Sequence, residues 1–357
     1  MKEMWSVAPA RYTSTKNDNT LSDAVLWHSV EDDKVVCDLC AHRCTILPGK
    51  AGICKVRLND GGILKTCVHN LLIAAHSDPI EKKPLFHFLP GTISFSIATV
   101  GCNFRCRFCQ NWQISQHARE HEGVSGDRTA PELVVKAALE SGAASISYTY
   151  TEPTIFFETC EAVGLLARQA GMKNVFVSNG YLTPEAVERA RPFLDGVNVD
   201  LKGFDDGRYR RVCGATLNGV LTGIDAILKA GIWLEVTTLV VPGVNDSDAE
   251  LTAIARHIAG LKRSIPWHIS RFHPDYKMDD GAPTSIETLV RAAEIGRAEG
   301  LEFVYLGNVP GHDTENTYCP KCATMIFERY GFRLTRHELD VDRCPNCRTP
   351  IPGVFTT

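Results

Sequence analysis

From residue 93 to residue 306 the chain alternates between two kinds of segment. Short runs rich in β-branched and aromatic residues, at 93–99, 145–150, 174–178, 196–201, 233–241, 267–272 and 303–306, read as strands. Between them lie stretches with apolar residues at helical spacing, at 132–141, 155–170, 184–191, 217–230, 248–262 and 285–299. Helix starts are marked by Thr183-Pro184-Glu185 and Asp246-Ser247-Asp248, where a hydroxyl residue can cap and proline or an acid opens the first turn. Strands alternating with helices build a parallel sheet, and six or more such units predict an α/β fold, a (β/α) barrel or an open part of one. Before it, residues 1–34 are polar and predict an arm leading into a short helix or strand. Residues 62–89 predict two or three strands, with Asp78 to Leu85 as a polar turn that carries Lys82 and Lys83 in solvent. The expected units are an arm and first module over 1–70, the barrel over 71–310 and a last module over 311–357.

Composition narrows the class. A chain of 357 residues with 44% apolar and 22% charged residues is that of an ordinary soluble globular protein, long enough for one barrel of about 250 residues plus small modules. Its formal net charge of −4 disfavours bulk attraction to nucleic acid or to an anionic membrane. Met1 to Thr20 hold no apolar signal region, and no stretch of 18 uninterrupted apolar residues follows, so a cytoplasmic protein without a membrane segment is expected.

Fourteen cysteines change the picture, because in a long chain without a secretion signal they point to metal rather than to disulfides. Eleven fall into three spaced groups. Cys37, Cys40, Cys44 and Cys54 lie within 18 residues, bent round by Pro48, Gly49 and Gly52, and can converge on zinc or on an iron–sulfur cluster. His42 in their midst reads as a hydrogen-bonded side chain rather than a ligand. Cys102, Cys106 and Cys109 follow a C-x3-C-x2-C spacing just after the first strand of the barrel. Three thiolates can hold three irons of a [4Fe–4S] cube and leave the fourth open to a ligand, although a zinc knuckle is the competing reading. Cys319, Cys322, Cys344 and Cys347 form two C-x2-C pairs separated by 21 residues, a zinc-ribbon or rubredoxin-like pattern for zinc or iron. Cys67, Cys160 and Cys213 stand alone and read as packing or free thiols, Cys160 in a helix and Cys213 in a loop.

Polar residues gather where the predicted strands end, the usual rim of a pocket in such sheets. Thr151 and Glu152 follow the second run, Ser178 and Asn179 the third, and Asp200 and Lys202 the fourth; Val241 ends the fifth and His273 the sixth. With the three-cysteine loop and Phe108 before its third cysteine, the chain resembles the radical S-adenosylmethionine (SAM) superfamily. The whole pattern of cysteine modules, with Tyr-Thr-Glu-Pro-Thr at 150–154, resembles the radical SAM enzymes of the AmmeMemoRadiSam system, once called pyruvate formate-lyase activating enzyme homologues. That resemblance implies a radical SAM (β/α) partial or near-complete TIM-type barrel. It implies a [4Fe–4S] cluster on Cys102, Cys106 and Cys109 whose open iron chelates SAM and cleaves it reductively to a 5′-deoxyadenosyl radical. It implies that Phe108, Thr151, Glu152, Ser178, Asn179, Asp200, Lys202, Val241 and His273 surround SAM. A flavodoxin- or ferredoxin-type reductant and Memo-like and AMMECR1-like proteins are the implied partners. Asp200-Leu201-Lys202 resembles an element of glycyl-radical activases, while the cysteine-free stretch 110–126 lacks their cluster-bearing insert. A non-catalytic, metal-stabilised interaction module is the reading from a different class.

Overall fold

The computed structural model describes residues 21–121 and 123–356; the expected arm over Met1 to Thr20 lies outside them. Eight strands form the main sheet: β1 (Ala74–Pro79), β2 (Ile93–Ala98), β3 (Ser145–Tyr148), β4 (Lys173–Ser178), β5 (Gly196–Asp200), β6 (Trp233–Val240), β7 (Trp267–Arg271) and β8 (Val304–Gly307). They lie side by side in chain order. β2 to β8 run parallel, and β1 pairs antiparallel with β2 along its whole length. The edge strands β1 and β8 do not pair with each other, so the sheet is an open barrel. This is an α/β fold with a parallel core, as the alternation of strands and helices predicts.

The helices that cross between strands are α1 (Pro131–Glu140), α2 (Phe157–Gln169), α3 (Pro184–Ala190), α4 (Asp206–Cys213), α5 (Leu217–Lys229), α6 (Asp248–Leu261) and α7 (Ile286–Ala298). Most begin on a real cap. The side chains of Thr183, Asp205, Thr216, Ser247 and Ser285 each accept a backbone N–H from the first turn of the helix they precede. Sequence periodicity passes over α4 because its segment, Asp-Gly-Arg-Tyr-Arg-Arg-Val-Cys, buries only Tyr209 and Cys213 and shows no apolar stripe. Cys213 is therefore not in a loop; it is the buried last residue of α4.

The segment expected to be a solvated turn is also different. Asp78 and Pro79 finish β1, Ile80–Lys82 form a single 3-10 turn, and Lys83 is buried at 1% exposure. Its ammonium lies 2.6 Å from Asp78 and over the Tyr150 ring, and that pairing lets a lysine sit inside.

Before the barrel, two small antiparallel sheets carry the first cysteine module: Trp27–Ser29, Val35–Cys37 and Thr45–Ile46 in one, and Ser22–Asp23, Arg57–Asp60 and Ile63–Thr66 in the other. The module is tied to the barrel by a buried ion pair, Arg57 to Glu158 of α2 at 3.1 Å. After the barrel, β9 (Thr317–Tyr318), β10 (Met325–Tyr330) and β11 (Arg333–His337) make a third small sheet, whose Ile326, Phe327, Leu339 and Ile351 form one cluster with Phe86, Phe303 and Tyr305 of the barrel. It is pinned to the barrel by Arg329, which donates to Phe86 O and Thr317 Oγ1 and stacks over the Phe86 ring. No helix among the described residues is long and apolar enough to cross a membrane.

Candidate active site

The first cysteine of the central loop is preceded by Gly101, with φ of +102°. A Cβ there would lie 2.8 Å from Val56 Cγ1, so backbone and space both require glycine. The loop that follows is clamped by the end of α4: Arg105 N–H donates to Cys213 O at 2.9 Å and Arg107 N–H to Val212 O at 3.0 Å. Its sulfurs already have polar neighbours. Phe104 N–H donates to Cys102 Sγ at 3.3 Å, and Cys109 Sγ lies 3.2 Å from the Ser115 hydroxyl. A hydrogen bond with the Cys213 thiol, together with burial, holds the Cys106 thiol well above its ordinary range. The contact between these two thiols is invisible in sequence, because it depends on α4 folding back onto the loop.

The loop forms one end of a cavity of about 510 Å³ that runs down the inside of the barrel. Cys102, Cys106, Phe108, Cys109, Thr151, Glu152, Ser178, Asn179, Asp200 and Lys202 all line it. Glu152 is buried at 2% exposure and braces the strand ends. Its Oε1 accepts from Thr154 N, Thr154 Oγ1 and Ser178 Oγ, and its Oε2 accepts from Asn179 N at 2.8 Å. Three donors crowd Oε1 and one meets Oε2, so Oε2 is the oxygen with room for a further donor. Burial raises the Glu152 carboxyl, and the donors around it oppose that rise. Thr151 Oγ1 donates to Thr99 O, and Lys202 Nζ lies 2.8 Å from Asp200. Two expected residues stand elsewhere. Val241 is fully buried off the cavity wall, its N–H held by Asn245 Oδ1 at 2.6 Å, and His273 is exposed, 2.9 Å from the Gln110 amide.

The same cavity is also lined by Lys83, Tyr150, Thr237, His268, Ser270, Asn308 and Phe332. Tyr150 stands in the 150–154 motif and Asn308 just past the last barrel strand; the others come from strand interiors, from the supposed turn and from the last module, where sequence pattern marks no site residue. Asp78 accepts from Lys82, Lys83, Ser96 and the Tyr150 hydroxyl, so one carboxylate faces two ammonium groups. Deeper still, Glu235 accepts from His268 Nε2 at 2.7 Å and from the backbone N–H groups of Phe86 and His87, closing the floor.

The outer cysteine groups differ from one another. Cys319, Cys322, Cys344 and Cys347 have all four sulfurs within 4.8 Å of one another. Each pair sits on a tight turn in which the residue after the second cysteine, Ala323 or Arg348, has positive φ and donates its N–H back to the first cysteine. The Thr324 hydroxyl and N–H pull the Cys322 thiol down to about 5, and Thr349 lowers Cys347 in the same way. Cys37, Cys40, Cys44 and Cys54 instead line a small closed cavity with Arg57 and Asn103. His42, beside them, bonds Asn103 O at 2.9 Å.

Comparison with known proteins fits this geometry. The family model for the radical SAM superfamily matches residues 96–254. An uncharacterized protein of Methanocaldococcus jannaschii, MJ0808, is 44% identical over 94% of this chain and 100% of its own length. The chain belongs to the radical SAM superfamily. An isethionate sulfite-lyase activating enzyme of Nitratidesulfovibrio vulgaris is 29% identical over 34% of this radical SAM chain, which spans 42% of that relative's length. A radical SAM methyltransferase from Sphaerobacter thermophilus aligns with a TM-score of 0.49 at 19% identity, over 62% of this chain and 68% of the other. Membership implies a [4Fe–4S] cluster and SAM, and makes this an enzyme of the radical SAM class.

Proposed function

We propose that this enzyme reductively cleaves SAM at a cluster held by Cys102, Cys106 and Cys109 and uses the resulting 5′-deoxyadenosyl radical on a small polar substrate in the same cavity. The observation that carries this reading is the meeting of three thiols from one loop with Glu152, Asn179, Asp200 and Lys202 at one end of a single cavity. The donor set suits an anionic thiolate centre: Cys102 Sγ already accepts a backbone N–H, Cys109 Sγ has a hydroxyl beside it, and the Lys202 ammonium acts on Cys106. When bound, the cluster and SAM supply the one-electron cleavage and the radical, which is the cofactors' own chemistry.

The protein's part is placement. Lys202 offers a cation to the SAM carboxylate, with Asp200 holding its ammonium, and Glu152 Oε2 can accept from the SAM amino group. Ser178 and Asn179 act through Glu152, keeping its carboxylate fixed between β3 and β4. Phe108, buried beside the third cysteine, keeps water from the reacting end. Lys83, Thr237, His268 and Ser270 bring further polar groups to the cavity wall for a polar substrate.

The test is anaerobic reconstitution followed by dithionite and SAM, with 5′-deoxyadenosine measured by chromatography. The product is expected from the wild type and absent from Cys106→Ala. A fully loaded wild-type cluster that releases none would end this reading.

A further inference from the structure

A second thiol set, Cys37, Cys40, Cys44 and Cys54, lines a small cavity that also takes in Asn103 of the radical-site loop.

Two buried donors converge on the same small cavity from opposite sides. Arg57 is 2% exposed, and its Nε and Nη1 have no hydrogen-bond partner among the described residues. Asn103 is 1% exposed, and its Nδ2 is likewise unpaired while its Oδ1 accepts from Asn179. Buried N–H groups are rarely left without an acceptor, and a charged one least of all. Both side chains wall the space faced by Cys37, Cys40, Cys44 and Cys54, whose thiolates would be the missing acceptors.

We propose that Cys37, Cys40, Cys44 and Cys54 bind a redox-active iron–sulfur cluster whose sulfurs accept hydrogen bonds from Arg57 and Asn103, and that electrons enter the radical site through it. The relay rests on the reading of the Cys102 loop given above. Asn103, which walls this site, is the residue next to Cys102, so the loop of the radical site forms part of the wall of the four-cysteine cavity. His42, between Cys40 and Cys44, adds a hydrogen bond to the same Asn103 carbonyl. The redox balance is simple: an external low-potential protein donor, of flavodoxin or ferredoxin type, loses one electron, and that electron passes on to the radical site. No bond at the four-cysteine site forms or breaks. The Arg57 cation and the N–H donors oppose the negative charge of the thiolates and so raise the potential of the site.

The experiment compares the full-length wild type with a Cys102→Ala/Cys106→Ala/Cys109→Ala variant, both purified anaerobically, by iron, sulfide and zinc content and by EPR after reduction. The wild type should hold two cluster equivalents. The triple variant should keep one, with its own EPR signal, and release no 5′-deoxyadenosine. A wild type with one cluster that cleaves SAM, beside an iron-free triple variant, overturns the proposal and leaves the radical-site reading standing. A triple variant that still cleaves SAM overturns both. For the relay, Cys54→Ser should keep dithionite-driven cleavage and lose cleavage driven by flavodoxin; equal retention of both overturns it. For the donors, Arg57→Met/Glu158→Gln, which removes the buried pair together, should keep its iron with a midpoint potential shifted to more negative values, and an unmoved midpoint overturns the role of Arg57.

Discussion

The two outer cysteine groups contain the same four ligands and differ in what surrounds them. The C-terminal four are drawn together by two short turns with all four sulfurs within 4.8 Å, in a cluster that packs on Phe86, Phe303 and Tyr305 of the barrel. The N-terminal four share their cavity with Asn103, Thr154 and Ile155 of the barrel, next to an arginine paired with α2. One group lies within its own module and the other shares its wall with the radical-site loop. Equal cysteine counts therefore predict unequal roles: a small brace at one end, and a site coupled to the chemistry at the other.

The largest effect should come from breaking the C-terminal site. If the C-terminal four hold structural zinc, Cys322→Ser removes one of its ligands, and such zinc contributes about 10–16 kcal/mol of apparent binding free energy that is also folding free energy. Zinc content should fall to the level of unliganded protein and limited proteolysis should cut within 311–356, while iron in the remainder stays bound. Loss of iron together with zinc would show that the two ends are not independent.

Next in size is the pin between that module and the barrel. Arg329 is fully buried, with donors on Phe86 O, Glu315 O and Thr317 Oγ1 and with the Glu81 carboxylate 3.8 Å from its Nε. Arg329→Met strands a buried carboxylate and three carbonyl or hydroxyl oxygens, a loss of about 3–5 kcal/mol. Thermal unfolding should drop accordingly, and zinc should remain bound if the module folds on its own metal. Simultaneous loss of both would mean that docking, not metal, holds the module together.

Much of this architecture is legible in the amino-acid sequence. Strand and helix alternation places β2 to β8 to within a residue or two, and cysteine spacing marks all three groups. What the sequence does not carry is distance. Cys213 against Cys106, Arg57 against the N-terminal thiols and Phe332 in the cavity wall all depend on segments far apart in the chain meeting in the fold. Lys83 is misread for another reason: a Lys-Lys-Pro run is usually solvated, and only the Asp78 carboxylate and the Tyr150 ring make its burial tolerable.

That pairing yields a smaller, pH-dependent effect. Burial disfavours the charged form of Asp78, but hydrogen bonds from Lys82, Lys83 and Tyr150 outweigh it and hold its carboxyl well below the usual range. A carboxyl depressed in the folded state stabilises the fold above its unfolded value of about 3.9, and that contribution is lost as the pH falls through the lower folded value. Asp78→Asn should cost about 1.5–3 kcal/mol near neutral pH, the range for charge-assisted hydrogen bonds. The cost should shrink in denaturation curves taken progressively below pH 4. A constant penalty across that range would mean that the charge of Asp78 is not what holds Lys83.

The smallest expected effect on stability is at Phe332, between β10 and β11, and it sharpens the contrast between brace and chemistry most. Its side chain is 45% exposed, so Phe332→Ala should move stability by no more than about 0.5 kcal/mol. Yet it lines the central cavity, as do Asn308 and Glu315. If the C-terminal module only braces the fold, cleavage of SAM and its coupling to product in Phe332→Ala match the wild type. If the module also forms the substrate wall, SAM cleavage with dithionite stays normal while the 5′-deoxyadenosine formed per product rises, because a radical is generated beside a loosely held substrate. The ratio of those two products measures the difference directly, and an unchanged ratio would confine this end of the chain to its structural role.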